Sequence, residues 1–250
     1  MPAAANLKTP TNATMRARAA VLSMLVALSS CSSASNSMLQ TLQSAARRGD
    51  SSASARLNPN FRYLRVTIAG RVVLRALGDE DIDLRGPVEV WYSAEREVLR
   101  LQNGRLVGAV GLTAEWRNVV LPELPSWSVL ARGDQAFRWT RVRDVMPGYR
   151  FGLRDAMSLR VIPQPRGSEL QGMDPQRLTW FEERVDAEQD AGSSRGSSLA
   201  NSGILAPARY AVDIRDGKEI VVYAEQCLAP DLCFTWQRWP VQAQSAAEKK

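Results

Sequence analysis

Apolar and polar residues alternate with a period of two through most of the chain beyond residue 60. The stretch 62–68 reads Arg-Tyr-Leu-Arg-Val-Thr-Ile, and residues 72–77 resume the pattern after Gly70. Such alternation predicts strands with one buried and one solvated face. The same character recurs at residues 88–92, 98–101, 106–108, 137–142, 158–162, 178–185, 210–214, 220–224 and 234–239. The pattern predicts about eleven strands.

Tight turns between these stretches indicate that consecutive strands are antiparallel neighbours. Asn103-Gly104 lies between two apolar runs and predicts a hairpin with positive φ in the turn, and Asp216-Gly217 predicts another. No stretch has the strand–helix–strand order of a parallel sheet. The fold class expected is all-β, an antiparallel meander curled into a barrel or half-barrel.

One short helix is expected before the strands. Ser37 is a suitable N-cap, apolar residues follow at helical spacing from Met38 to Ala45, and Gly49 is a suitable end. The expected domain organisation is a single β-rich domain over residues 37–240. Residues 187–203, rich in Ser, Gly and Asp, predict a flexible excursion, and residues 241–250 predict a disordered tail.

The N-terminal residues 1–30 have the features of a secretory signal. Arg16 and Arg18 precede an apolar run over residues 19–28, and Met15 is the expected true start. A bilayer-spanning helix needs about 20 apolar residues, so this run is too short to span.

The signal ends in Leu28-Ser29-Ser30-Cys31, which resembles the bacterial lipobox. That resemblance implies lipidation of Cys31, which would then begin the mature chain, with residues 31–36 as a polar tether. The residue after Cys31 is Ser32, whereas an Asp at this position would resemble an inner-membrane retention signal. The expected location is therefore the outer membrane, with the protein facing the periplasm. The alternative is a soluble periplasmic protein cut nearby.

The amino-acid composition excludes several kinds of catalytic and metal-binding site. The chain of 250 residues has no His, which excludes a Ser-His-Asp or Cys-His relay and a zinc site with His ligands. The net charge of +6 includes three basic residues of the signal, and without them 29 basic stand against 26 acidic side chains. A mixed surface of this kind does not favour nucleic-acid binding.

Cys227 and Cys233 are separated by five residues that include Pro230-Asp231, a turn-forming pair. In an oxidising periplasm this spacing favours a disulfide. Two buried free thiols or a metal pair are the alternatives, and the spacing disfavours a redox pair, which would be C-x-x-C.

Two groups of acidic residues are candidate sites. Residues 78–83 hold four carboxylates, which could bind Ca²⁺ but lack the spacing of a calcium hand, so a solvated turn is favoured. Glu182 and Glu183 are adjacent on a predicted strand and face opposite sides, so these two alone do not form a catalytic acid pair. A glycosidase whose two catalytic carboxylates lie far apart in the sequence remains an alternative. The sequence marks no catalytic, cofactor or metal residue.

Six tryptophans lie on or beside the predicted strands and are expected to be mostly core residues, although aromatic rings also stack on sugars. Trp236 and Trp239 are three residues apart on one strand and therefore point to opposite faces. They are the candidates for glycan or partner contact.

Several of these segments resemble the YjbF/GfcB family of bacterial outer-membrane lipoproteins. The most specific similarity runs from Trp91 through Asn103-Gly104 to Leu112, with further matches at Trp139 and at residues 210–213. The resemblance implies a periplasm-facing lipoprotein that works with exopolysaccharide or group 4 capsule export components, on a large β-barrel-like fold. It implies no catalytic residues and no cofactor.

Three functions therefore compete. The first is an accessory lipoprotein of polysaccharide export that acts by protein or glycan contact. The second is a β-barrel carrier or binding module for a lipid or glycan, and the third is an enzyme. A carrier needs an unfilled interior, whereas an accessory protein can fill its interior with side chains.

Overall fold

The computed structural model describes residues 57–186 and 205–241. The predicted signal, the lipidation site Cys31, the tether, the N-terminal helix, the 187–203 excursion and almost all of the C-terminal tail lie outside these ranges.

The described residues form twelve antiparallel strands in one sheet. The strands are β1 (Tyr63–Ile68), β2 (Arg71–Asp81), β3 (Val88–Ser93), β4 (Val98–Gln102), β5 (Arg105–Val110), β6 (Glu115–Val120), β7 (Phe137–Met146), β8 (Arg150–Ile162), β9 (Thr179–Val185), β10 (Ala208–Arg215), β11 (Lys218–Ala229) and β12 (Leu232–Trp239). Each strand pairs with the next along the chain, and β1 also pairs with β12. The sheet therefore closes on itself as a meander, which confirms the all-β prediction and selects the closed alternative over the half-barrel.

The strand prediction missed β6 entirely. Its inward side chains are Trp116 and Val119, three residues apart, because the register shifts between Trp116 and Asn118. A bulge of this kind breaks the period of two on which the prediction depended.

The prediction also began β8 eight residues late, at residue 158 instead of Arg150. The early part of this strand is mostly exposed and places Asp155 on its buried face. A charged residue on the inward face interrupts the alternation of apolar and polar residues from which a strand is predicted.

Both predicted two-residue turns are present. Asn103 and Gly104 have φ values of 49° and 80°, and Asp216 and Gly217 have 52° and 71°. Gly104 has a second constraint, because a Cβ there would lie 2.4 Å from Cγ2 of Val221. The β4–β5 turn thus packs directly on β11.

The alternation of strand directions sorts the connections into two ends. The proximal end, where the described chain begins and ends, carries the β2–β3, β4–β5, β6–β7, β8–β9 and β10–β11 connections. The distal end carries the remaining connections, including the β7–β8 turn at residues 147–149. Inward side chains form one core cluster between the two ends, with Leu64, Trp91, Leu101, Phe181 and Trp236 among its fully buried members.

The β6–β7 connection contains the single α-helix of the described residues, α1 (Trp127–Ala131). Ser126 caps it by accepting a hydrogen bond from the Val129 N–H. The sequence did not predict this helix, because five residues are too few for a helical period to appear. No helix in the described ranges has the length and apolar character needed to cross a membrane.

The β8–β9 connection covers part of the outer face of the sheet. Leu170 and Met173 pack on a second cluster that includes Trp180, Ala211 and Tyr223. The Tyr223 hydroxyl accepts from the Glu169 N–H at 3.0 Å, and the side chain of Gln237 bonds both backbone groups of Gln171. These contacts fix the connection against β11 and β12.

Candidate functional site

The centre of the barrel is built from arginine and carboxylate side chains as well as apolar ones. Arg141 and Arg143 on β7 both bond Asp155 on β8, with nitrogen-to-oxygen distances of 2.6–3.1 Å. Arg105 on β5 donates from Nε to Glu183 on β9 at 3.0 Å. All five side chains are buried, and they are named the central ion cluster below.

The charges in the central ion cluster stabilise one another. Burial acts to raise the pKa of Asp155, but the hydrogen bonds and charges of Arg143 and Arg141 outweigh it and hold that pKa below its usual value. Burial, together with the neighbouring Glu183 carboxylate, raises the pKa of the Tyr210 hydroxyl well above its usual value. At neutral pH the carboxylate of Asp155 is ionised and the phenol of Tyr210 is neutral.

Aromatic rings surround the cluster. The Arg105 guanidinium lies 3.9 Å from the centre of the Trp127 ring, and the guanidinium groups of Arg141 and Arg143 lie 4.7 and 5.1 Å from the Trp116 ring. Desolvated cation–π contacts of this type stabilise buried arginines. Trp127 comes from α1, so the helix closes the proximal end by placing its ring over Arg105.

Among the described residues, side chains fill most of the interior. The cavity beside Arg105, Glu183, Tyr210 and Gln226 has a volume of about 20 Å³, which is enough for about one water molecule. A β-barrel carrier of the lipocalin type requires an open interior. The filled interior therefore favours an accessory protein over a carrier that encloses its ligand.

The two tryptophans singled out in the sequence have different environments. Trp236 is 0% exposed and packs inside the barrel, so its ring is not available at the surface. Trp239, at the proximal end of β12, is partly exposed and lines a cavity there. Of the two rings, that of Trp239 alone reaches the surface.

Cys227 and Cys233 are joined by a disulfide bond. They are directly opposite each other in the β11–β12 ladder, near the hairpin turn at the distal end. The bond therefore closes a short hairpin and lies at the opposite end from Trp239.

The acidic residues of the β2–β3 region are engaged with arginines. Glu80 pairs with Arg62, and Asp81 pairs with Arg100. In the part of the chain that the structure describes, no three acidic or cysteine side chains are grouped to hold a metal ion.

Glu182 and Glu183 point to opposite faces of β9. Glu183 belongs to the central ion cluster, whereas Glu182 bonds three half-exposed arginines on the outer face, Arg160, Arg184 and Arg209. This placement follows from the two-residue period of a strand.

Sequence reading did not identify the central ion cluster. Arg141 lies in a predicted strand, and Arg105 and Arg143 each lie one residue outside the predicted bounds of theirs; a charged residue at such positions is normally assigned to the solvated face. Arg141 and Arg143 are two apart on β7, and this spacing places them on one face without showing which face is buried.

The proximal end carries three open cavities around the barrel mouth. The first, of about 460 Å³, lies between the β4–β5 turn and the connection leading into α1. The second, of about 170 Å³, lies beside Gly104 and Arg238. The third, of about 710 Å³, lies between residues 57–63 and the end of β12 and extends over the outer face of the sheet, where Met173, Val222 and Trp239 form part of its wall.

The described residues define an all-β protein whose closed sheet is filled largely by side chains. Residues 55–237 match the model of a family described as "Group 4 capsule polysaccharide lipoprotein gfcB, YjbF". The chain belongs to the YjbF family, which confirms the resemblance drawn from residues 91–112. The family name associates it with capsule polysaccharide and, as a lipoprotein, with a membrane.

The crystal structure of the hypothetical lipoprotein YmcC from Escherichia coli K12 is similar to this chain with a TM-score of 0.49 and 14% sequence identity. The similarity covers 94% of this chain and 100% of that one. No curated protein sequence matches the chain.

Proposed function

We propose that this protein is a lipid-anchored, periplasm-facing accessory of exopolysaccharide or capsule export at the outer membrane, acting by protein or glycan contact and not by catalysis. The observation that carries the proposal is the membership of residues 55–237 in a family of capsule polysaccharide lipoproteins. The lipobox-like Leu28-Ser29-Ser30-Cys31 supplies the attachment point, Cys31. Multiple acyl chains on one cysteine make such an attachment stable.

The buried carboxylates support a role without catalysis. A general acid at neutral pH needs a raised pKa, yet Asp155 is held below its usual value by two arginines. Glu183 is bonded to Arg105 and is 4% exposed, beside a cavity of about 20 Å³. These groups stabilise the barrel and are not placed to reach a glycosidic bond.

A carrier function is the second candidate, and the interior disfavours it. The larger cavities lie outside the filled interior, near the proximal end and, beside Gly70 and Cys233, near the distal end. Contact with a ligand or partner would therefore take place at the surface of the barrel.

Deleting the gene tests the proposal. Surface and secreted polysaccharide should fall, while the cytoplasmic pool of activated sugar precursors stays at or above its wild-type level, because synthesis precedes export. Expression of the wild-type protein from a plasmid should restore both fractions. An unchanged amount of every exported polysaccharide in the deletion strain would contradict the proposal.

A further inference from the structure

The central ion cluster carries an excess of positive charge. Its three arginines stand against two carboxylates, so one positive charge has no counter-charge within the cluster. All five side chains are buried, and an uncompensated charge in a protein interior is costly.

No other buried group among the described residues supplies the missing negative charge. Their remaining buried carboxylate, that of Glu182, is bonded to arginines on the outer face of the sheet. The fully buried Arg75 has its own partner, Glu97, at 2.5 Å. The phenol of Tyr210 is neutral, because burial and the neighbouring Glu183 carboxylate raise its pKa. The excess charge therefore stays with the cluster.

One arginine of the cluster also has a hydrogen-bond donor without an acceptor. Arg105 donates from Nε to Glu183, but its Nη2 is buried and has no partner among the described residues. A buried N–H without an acceptor costs free energy, and more so when it belongs to a charged group. The unpaired donor and the excess charge thus occur in the same cluster.

The cavity of about 20 Å³ in the interior adjoins this arginine. Arg105 and Arg141 both contribute to its wall, and so do Glu183, Tyr210 and Gln226. The volume suits one water molecule or one ion of similar size. A polyatomic anion such as sulfate is too large for it.

The charges on the cavity wall favour an anion over a water molecule. A water molecule could accept a hydrogen bond from Arg105, but it would leave the excess charge without a counter-charge. A monovalent anion would supply both the acceptor and the charge. Glu183 also lies on the wall, but its carboxylate already accepts hydrogen bonds from Arg105 and Tyr210, and two arginines face the cavity against this one carboxylate.

We infer that the cavity beside Arg105 and Arg141 binds one monovalent anion of about the size of chloride, which completes the charge balance of the central ion cluster. This inference goes beyond the proposed function and does not depend on it. Because the unfolded chain has no such site, the bound anion stabilises the folded barrel.

The experiment measures unfolding of the mature protein by urea, because guanidinium chloride would itself supply the ion. Sodium chloride is replaced stepwise by sodium gluconate, which keeps the ionic strength constant and whose anion is too large for the cavity. The ratio of folded to unfolded protein should rise with chloride, and the rise should approach tenfold for each tenfold increase once chloride exceeds its Kd. Sodium bromide should have the same effect as sodium chloride.

Two variants separate binding in the cavity from a general effect of the salt. Arg141→Met removes the excess charge and leaves Arg143 with Asp155 and Arg105 with Glu183, so its stability should no longer depend on chloride. Arg160→Met removes an arginine from the outer face, where the side chain is 56% exposed and lies in the wall of none of the five cavities described. It should keep the chloride dependence of the wild type.

Bromide locates the site even if Arg141→Met does not fold. Crystals of the wild-type protein grown in sodium bromide should show an anomalous scattering peak in the cavity, within hydrogen-bonding distance of Arg105. Bromide peaks on the protein surface alone would overturn the inference. An equal chloride dependence in Arg141→Met and the wild type would also overturn it.

Other occupants of the cavity give distinct results. Equal stability in chloride and gluconate would show that water fills the cavity. A chloride dependence that appears only when Glu188 and Asp190 are both replaced by their amides would show that the chain's own carboxylates, just before the cavity residue Leu205, supply the counter-charge. Either result would overturn the inference and leave the proposed function standing.

Discussion

Asp155 is the acceptor that holds two arginines together inside the barrel. Its two oxygens take four hydrogen bonds from Arg141 and Arg143. Removing one partner from a buried ion cluster costs more than the cluster contributes in total, because the remaining charges stay buried without compensation.

Asp155→Asn should therefore destabilise the fold strongly. We expect a loss of about 3–5 kcal/mol in the free energy of unfolding, since two buried guanidinium groups lose their counter-charge. Denaturant unfolding at pH 7 measures the loss, with Asp134→Asn in the exposed β6–β7 connection as the control. A loss under about 1 kcal/mol for Asp155→Asn would show that Asp155 is not the main counter-charge.

The same carboxylate sets a pH dependence. Its pKa is lower in the folded protein than in the unfolded chain, so its stabilising contribution is fully present above the unfolded value of about 4 and is lost as the pH falls through the folded value. Wild-type stability should therefore fall below about pH 4 more steeply than that of Asp155→Asn. Parallel curves for the two proteins would contradict this assignment.

At the scale of single residues, the sequence predicted on which face of a strand a side chain lies, but not how deeply that side chain is buried. Glu182 and Glu183 lie on opposite faces of β9 as expected, because strand geometry decides this. That Arg105 would lie over Trp127 could not be predicted, since the contact joins β5 to α1 across the closed barrel. Such a contact depends on tertiary closure, which alternation does not encode.

At the scale of elements, the β11–β12 hairpin combines a register irregularity with a covalent bond. The ladder shifts between Cys227 and Ala229, immediately beside the disulfide to Cys233. In the chain-entropy model a crosslink stabilises by restricting the unfolded chain, and a short loop gives a small effect.

Replacing both cysteines by serine should thus reduce the free energy of unfolding by less than about 3 kcal/mol, the value for a 15-residue loop. The sequence separation here is 6. Denaturant unfolding of the double variant measures the effect. Alkylation of both thiols in unreduced, denatured wild-type protein would contradict the bond itself.

Strand prediction succeeded where alternation is regular and failed where it is interrupted. The turns at Asn103-Gly104 and Asp216-Gly217 were predictable because only a few residue types adopt positive φ readily. Strand β6 was not, because its bulge separates the buried Trp116 and Val119 by three residues. Helix α1 was not, because its position is fixed by Trp127 entering the barrel.

At the scale of the whole molecule, closure of the sheet places the side chains that stabilise the fold in the interior and leaves contact with other molecules to the surface. The interior is filled by the core and by the central ion cluster, with about 20 Å³ left beside Arg105. The larger open cavities lie outside this interior, near both ends of the barrel. With a filled interior, the proposed contact with a partner or glycan would use the surface of the barrel.

The measurement that tests the central proposal most directly is the amount of surface polysaccharide in a deletion strain that carries either the wild-type protein or Cys31→Ala. Labelling with a fatty-acid analogue should mark the wild type and not the variant, and immunoblots should show equal amounts of folded protein. We predict that the wild type restores surface polysaccharide and that Cys31→Ala does not, because the barrel must be held at the membrane to act by contact. Full restoration by unlabelled Cys31→Ala at equal abundance would contradict a lipid-anchored accessory of export.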